Sequence, residues 1–164
     1  MAVSGVYAYS GTGISAIDDK GRLSIPAFLR KDLVASSDGR TVCIGKHEKW
    51  DCLVGFGLSR KIDMLAEIDR EENNAIARGE DYDRDLASFK KFHSIKDLSF
   101  DASGRFGLPD GHRDKGHLKD KVIFFGTGLS FCLWDPQVLL DTTVELPVDR
   151  DEVKQLVADL GKKK

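Results

Sequence analysis

Two arginines occupy the same place in a repeated stretch of the chain. The segment 18–30 returns without a gap as the segment 101–113. Five positions are identical in the two copies: Asp18/Asp101, Gly21/Gly104, Arg22/Arg105, Pro26/Pro109 and Arg30/Arg113. A guanidinium group is a planar fork of donors that binds phosphate, or the O6 and N7 atoms of guanine. The repeat therefore indicates Arg22 and Arg105 as contact residues for an anionic partner.

The residues before each arginine have the chemistry of a tight turn. Aspartate accepts hydrogen bonds from the backbone just after it, and glycine adopts the positive φ that a reversal needs. We therefore expect Gly21 and Gly104 each to lie in a hairpin turn. Asp18 and Asp101 would orient the arginine or cap the turn, because a carboxylate facing DNA would be repelled. The simpler alternative is an Asp–Arg pair that only braces the turn.

The residues after each arginine predict a strand and then a helix. Leu23 and Ile25 alternate with other residues, as in a half-buried strand. Pro26 and Pro109 suit the first turn of a helix, and residues 27–33 have helical composition. Gly111 weakens the prediction of a helix after the second proline. The predicted unit is a hairpin followed by a short helix, with the arginine projecting beside the turn.

The doubled frame resembles the paired signatures of a known family. Asp-x-x-Gly-Arg-x-x-x-Pro, present twice and in order, is similar to the motif of the MraZ proteins, bacterial transcription regulators with two SpoVT-AbrB domains. Segments 122–126 and 131–135 are similar to the strand pair that closes the family's second domain. The resemblance covers residues from about 11 to 136. It implies an α+β, mainly β fold: tandem swapped-hairpin half-barrels that form one pseudo-twofold, double-psi-like barrel with peripheral helices.

The predicted elements divide the chain into four parts. They are a first AbrB-type domain (11–57), a helical linker (58–93), a second AbrB-type domain (94–137), and a C-terminal helix with a basic tail (138–164). The linker begins with a stripe of Leu58, Ile62 and Leu65, with Ser59 as a plausible N-cap. Either this stripe joins subunits, as the resemblance implies, or it covers the chain's own sheet. Residues 1–10 are predicted to be a loose end.

Composition indicates a soluble, globular chain. It has 164 residues with 41% hydrophobic content, which is enough for a core. Its longest apolar run, residues 122–125, is far too short to span a membrane, and its start does not resemble a signal peptide. We therefore expect a cytoplasmic protein without membrane contact. The three cysteines, whose number is odd and whose spacing includes no Cys-x-x-Cys pair, are predicted to be small buried apolar residues.

The net charge of −2 counts against an ordinary nucleic-acid binder, but the charges are unevenly distributed. Residues 63–85 hold nine acidic and three basic side chains, whereas residues 1–62 hold six acidic and nine basic ones. Lys20, Arg30 and Lys31 lie close to Arg22 in the first copy, and the second copy lacks a matching cluster. The first repeat is therefore expected to make more of the DNA contact.

The resemblance implies a ring of several subunits that binds short direct repeats in promoter DNA of the division and cell-wall gene cluster, in association with the nucleoid. The predicted DNA contacts are Arg22, Lys20, Arg105, Arg30 and Lys31. The predicted motif scaffold is Asp18, Gly21, Pro26, Asp101, Gly104 and Pro109. No cofactor, metal or small-molecule substrate is expected.

Two other classes of protein are alternatives to the regulator. An enzyme is disfavoured because the chain contains no Gly-x-Ser-x-Gly elbow, phosphate-binding loop or His-Glu-x-x-His motif. His112 and His117 are five residues apart, which does not suit two metal ligands on one helix face. The alternative that stays open is an AbrB-like antitoxin or a protein-interaction scaffold without catalytic activity.

Overall fold

The computed structural model describes residues 7–162, in which one series of elements occurs twice. The first series is β1 (Thr12–Ala16), β2 (Arg22–Ser24), α1 (Ala27–Ser37), β3 (Thr41–Lys46) and β4 (Leu53–Phe56). The helices α2 (Arg60–Ala77) and α3 (Arg84–Phe92) follow. The second series is β5 (Lys96–Ser99), β6 (Arg105–Gly107), α4 (Asp110–Lys115), β7 (Lys121–Gly126) and β8 (Phe131–Trp134), before α5 (Pro136–Asp141) and α6 (Arg150–Lys162). The predicted α+β class is confirmed.

The strands of the two repeats interlock. Six of them form an antiparallel sheet in the order β1-β7-β8-β4-β3-β5, and β2 pairs with β6 in a separate two-stranded ribbon. If the two repeats are exchanged, the strand order of the sheet reads the same from its other end. β1 of the first repeat pairs with β7 of the second, and β5 of the second pairs with β3 of the first.

The predicted turns form, but the strands that flank each turn do not continue as a hairpin. Gly21 and Gly104 have φ angles of 77° and 81°, and their N–H groups donate to the carbonyls of Asp18 and Asp101 at 3.0 and 2.9 Å. Beyond the first turn, β2 leaves β1 and pairs with β6. The physical reason is burial, because an isolated hairpin is marginally stable whereas the ribbon sets its apolar side chains over the sheet.

The sheet separates two clusters of buried side chains. Alternation along β7 shows this, since Val122 and Phe124 join one cluster while Ile123 joins the other. The first cluster lies between the sheet and the ribbon, and it includes residues of α1 and α2. The second is covered by α5 and α6 through Leu139 and Val153. All three cysteines are buried and unpaired, as predicted.

The helix after each proline begins at the next residue. The second helix, which the glycines placed in doubt, forms but has six residues against eleven in the first. Gly116 ends it beside β4, where an added Cβ would lie 2.6 Å from Leu53 Cγ. The close approach to β4 therefore favours glycine at this position.

The α2 helix differs from its prediction in two respects. Ser59 occupies the N-cap position, but its hydroxyl is 2.6 Å from the Ser36 hydroxyl and makes no cap bond. Ile62 and Leu65 are 70% and 49% exposed, and Met64 and Ile68 are buried instead. The alternative that this stripe covers the chain's own sheet is therefore wrong for Ile62 and Leu65.

The N-terminal side of the described chain is more ordered than predicted. Tyr9 is 2% exposed, and its hydroxyl accepts a hydrogen bond from Gly57 N at 3.0 Å, so a loose end is wrong for this residue. Residues 1–6 of the predicted loose end lie outside the described residues. Residues 163–164 of the predicted basic tail also lie outside them. Within residues 7–162, no helix combines the length and the apolar character needed to cross a bilayer.

Replacing Gly104 with Ala is expected to destabilise the fold more than replacing Gly79. Both glycines have positive φ, but an added Cβ at Gly104 would lie 2.7 Å from Ile25 O, whereas at Gly79 it would meet nothing within 4 Å. The overpacking should cost Gly104→Ala about 1–3 kcal/mol beyond the loss in Gly79→Ala. Urea unfolding followed by circular dichroism measures both losses, and equal losses would contradict the close approach.

Candidate nucleic-acid interface

The β2–β6 ribbon presents both repeat arginines on one exposed face. Arg22 lies opposite Gly107, and Arg105 lies opposite Ser24. The residues between them, Leu23 and its neighbour in β6, are buried, so the arginines point outward. Diagonal neighbours of this kind have Cα atoms about 7–8 Å apart. The structure therefore brings together two guanidinium groups that are 83 positions apart in the sequence.

Asp18 orients the side chain of Arg22. Its Oδ2 accepts a bond from Arg22 Nε at 2.8 Å, and its Oδ1 accepts from the N–H groups of Arg22 and Lys20 at 2.8 and 3.0 Å. The backbone bond from Arg22 is the largest cause that lowers the pKa of Asp18, followed by the bond from the Arg22 side chain. Arg22 is 47% exposed, and the ion pair occupies only its Nε, which leaves the two terminal nitrogens for another acceptor.

Asp101 braces the second turn but does not hold the second arginine. Its Oδ1 accepts bonds from Ser103 N and Arg105 N, both at 2.9 Å, and these bonds lower the pKa of Asp101. Within residues 7–162, the Arg105 guanidinium makes no hydrogen bond. The side chain of Asp101 therefore only braces its turn, whereas that of Asp18 both braces its turn and orients an arginine.

Arg30 reaches from the first repeat to the second turn. Its Nη1 donates to Ala102 O at 3.2 Å, and its Nε is buried without a hydrogen-bond partner among the described residues. A Cβ at Gly104 would lie 2.8 Å from Arg30 Cδ, so the arm packs directly over the glycine. The matching residue, Arg113, instead donates to the carbonyls of Leu118 and Lys119. The sequence repeat contains no signal for this difference in partners.

The other predicted site residues lie around the ribbon. Lys20 is exposed in the first turn, and Lys31 is exposed on α1. Pro26 and Pro109 immediately precede α1 and α4, with ψ angles of 143° and 144° that turn the chain from ribbon to helix. Motif reasoning missed Ser24 and Gly107, which share the exposed face of the ribbon. Period-two alternation around the arginines was the signal that could have identified them.

The two histidines of the second repeat have different neighbours. His112 Nε2 is 2.7 Å from Ser94 O, and His117 Nε2 is 4.0 Å from Asp51 Oδ1. In the described part of the chain, no group of three or more histidine, cysteine or acidic side chains is placed to hold a metal ion.

The pKa values of both turn aspartates should lie below the usual range of a carboxyl group, and Arg22→Ala should change that of Asp18 alone. Removing the Arg22 side chain should raise the pKa of Asp18 only part of the way, because its backbone donors remain, and should leave Asp101 unchanged. The stabilisation from each lowered pKa is present above the ordinary carboxyl pKa and is lost as pH falls through the folded-state value. Carboxyl carbon NMR measures both groups in one titration. A return of Asp18 to its ordinary pKa would contradict the role of the backbone.

Known proteins of one family are similar to this chain over most of its length. No protein-family model matches the chain. The transcriptional regulator MraZ of Parvibaculum lavamentivorans is 30% identical over 157 residues, which cover 93% of this chain and 94% of that protein. The transcriptional regulator MraZ of Roseiflexus castenholzii is 32% identical over 127 residues, or 74% of this chain and 76% of that protein. That of Saccharophagus degradans is 28% identical over 155 residues, or 93% and 99%. The chain therefore belongs to the MraZ family.

Proposed function

We propose that this protein is a sequence-specific DNA-binding transcriptional regulator without catalytic activity. The observation that carries the proposal is the exposed face of the ribbon, where Arg22 and Arg105 project side by side from the two repeats. Two-stranded ribbons are among the elements that enter DNA grooves. The relatives named as transcriptional regulators support the same function.

Arg22 has the geometry for reading a base. Its bond to Asp18 fixes the arm through Nε, so the two terminal nitrogens form a fork for guanine O6 and N7 or for phosphate. Asp18 itself is already engaged by three N–H donors, which offsets its repulsion of DNA. We assign base reading to Arg22 and a less oriented contact to Arg105.

Lysines beside the ribbon would supply phosphate contacts. Lys20 at the first turn and Lys31 on α1 are exposed, and neither pairs with a carboxylate within the described part of the chain. Arg30, as placed, holds the second turn through Ala102 O, so we assign it a supporting part in DNA binding. Phosphate contacts position a protein on DNA and make its affinity depend on salt.

The exchange of strands supports a swapped-hairpin barrel. Each repeat sends its first strand to the other repeat, as expected for two interleaved AbrB-type units that form one pseudo-twofold, double-psi-like barrel. On this proposal the two units are residues 11–57 and 94–137, joined by the linker 58–93 and followed by 138–164. They fold around one shared core, because the first buried cluster draws on both.

Several copies acting together would supply the affinity that one ribbon lacks. A few phosphate and base contacts give weak binding at physiological salt, whereas linked sites bind with avidity. We propose a ring whose subunits bind successive direct repeats in promoter DNA of the division and cell-wall gene cluster, on the nucleoid. Exposed Ile62 and Leu65 on α2 support a contact between subunits.

Arg22→Ala should abolish specific binding to DNA from upstream of the chain's own gene. A bidentate arginine contributes about 1–3 kcal/mol of base discrimination, and every subunit of a ring would lose it at once. Gel shift and fluorescence anisotropy measure the affinity for this DNA and for a scrambled duplex. Arg78→Ala is the matched control, since Arg78 at the end of α2 is 58% exposed, against 47% for Arg22, and like Arg22 pairs through Nε with a nearby carboxylate.

The salt dependence identifies the kind of contact. If Arg22 reads a base, Arg22→Ala keeps the slope of log affinity against log salt, whereas a phosphate contact lowers it by about 1 per contacting subunit. Thermal unfolding and solution mass must stay at the parent values for either conclusion. A variant that binds as tightly and as specifically as the parent would remove Arg22 from the interface.

The double variant Ile62→Ser/Leu65→Ser should reduce the mass of the assembly in solution. These side chains are 70% and 49% exposed, so their replacement removes apolar contact area without disturbing the core. Light scattering measures the mass. Leu129→Ser/Val144→Ser is the control, because it replaces two exposed apolar residues outside α2. An unchanged mass in the α2 variant, with the fold intact, would place the subunit contact elsewhere.

A further inference from the structure

A cleft with two compartments lies where the β3–β4 loop meets α2, α3 and the end of α4. One compartment, of about 320 Å³, has an apolar part formed by Trp50, Val54, Phe56, Met64 and Ile95 and a charged part that includes Arg60, Glu67 and Lys91. We call it the apolar compartment after the first of these parts. The other, of about 720 Å³, is walled by lysines and histidines. Residues 46–49 line both compartments, so the two form one continuous surface. Volumes of this size are typical of small-molecule sites.

The second compartment is strongly cationic. Lys46, Lys49, Lys90 and Lys115 line it, and Glu48 is the acidic residue among the lining side chains. The Glu48 carboxylate is 3.9 Å from Lys91 Nζ, which offsets its charge. No carboxylate pairs with Lys49, Lys90 or Lys115 in the described chain. Glu48 and Asp51, whose Oδ1 is 4.0 Å from His117 Nε2, offset part of this charge, but an anion entering the compartment would still meet an excess of lysines in a protein whose net charge is −2.

A stacked aromatic pair stands at the boundary between the compartments. The rings of His47 and Trp50 are 4.5 Å apart and 6° from parallel. His47 Nδ1 accepts bonds from the N–H groups of Lys49 and Trp50, both at 3.1 Å, so the ring carries its proton on Nε2. Burial, together with Lys46, lowers the pKa of His47. The loop thus supplies a stacked aromatic pair to the lining of the apolar compartment.

We propose that this cleft binds a small phosphorylated ligand with a flat apolar group, of the nucleoside phosphate class. The flat group would occupy the apolar compartment, and the phosphates would contact Lys49, Lys90 and Lys115. The site is separate from the ribbon, because Ser94 in the cleft and the turn at Gly104 lie at opposite ends of β5. The proposal goes beyond DNA binding and does not depend on it.

ATP without divalent metal is the probe, and calorimetry measures its affinity for the full chain. ATP should bind more tightly than either inorganic triphosphate or adenosine, because each of these fills one compartment only. Lys90→Ala/Lys115→Ala should weaken ATP binding by about tenfold or more through loss of charge-assisted contacts. Lys154→Ala/Lys162→Ala on α6 removes the same charge from exposed positions and should leave the affinity unchanged.

Three results would overturn the proposal. The first is a chain that does not bind ATP at millimolar concentration. The second is equal affinity for ATP and triphosphate, or for ATP and adenosine, since one compartment would then contribute nothing. The third is loss of ATP binding in Arg22→Ala but not in Lys90→Ala/Lys115→Ala, which would place the anion on the ribbon. Arg22→Ala that keeps ATP binding while losing DNA separates this site from the proposed regulator function.

Discussion

The end of the molecule that carries the arginines depends on a reciprocal pair of backbone hydrogen bonds between the two repeats. Leu108 N donates to the carbonyl of Gly21 at 2.9 Å, and Ile25 N donates to the carbonyl of Gly104 at 2.8 Å. Each turn is thus held by the strand end of the other repeat. The positions of Arg22 and Arg105 therefore each depend on both repeats. This is why the chain needs both copies of the motif.

Local features of the fold were predictable from sequence, and strand partners were not. The turns at Gly21 and Gly104 and the helix after Pro26 depend on a few neighbouring residues, whose conformational preferences are readable directly. The helix after Pro109 forms although Gly111 counts against it. Pairing of β2 with β6 depends on burial across more than eighty residues, and a period-two pattern is satisfied equally by either partner. The same limit applies to Tyr9, whose burial depends on Gly57 and the distant Gly128.

The sequence predicts which residues form the site better than it predicts what each of them does. Arg22 and Arg105 occupy identical motif positions, yet only the first is held by its aspartate. An arginine that is already oriented loses less side-chain entropy on binding than one that is free. The difference comes from side-chain packing around each turn, including the arm of Arg30 over Gly104, for which the second repeat has no equivalent.

An acidic net charge is compatible with the proposed contact to DNA because the charges act locally. The acid-rich residues 63–85 belong to α2, α3 and their connection, where Arg60 pairs with Glu67 at 2.7 Å and Arg84 pairs with Asp69 at 2.7 Å. At physiological salt, exposed charges farther away than about 8 Å are largely screened. The potential at the ribbon is therefore governed by the charges nearest to it, which are Arg22, Arg105 and Lys20 on one side of the balance and the turn aspartates on the other. The N–H donors bound to Asp18 and Asp101 neutralise part of the negative charge of these carboxylates and so reduce their repulsion of a phosphate that approaches this face.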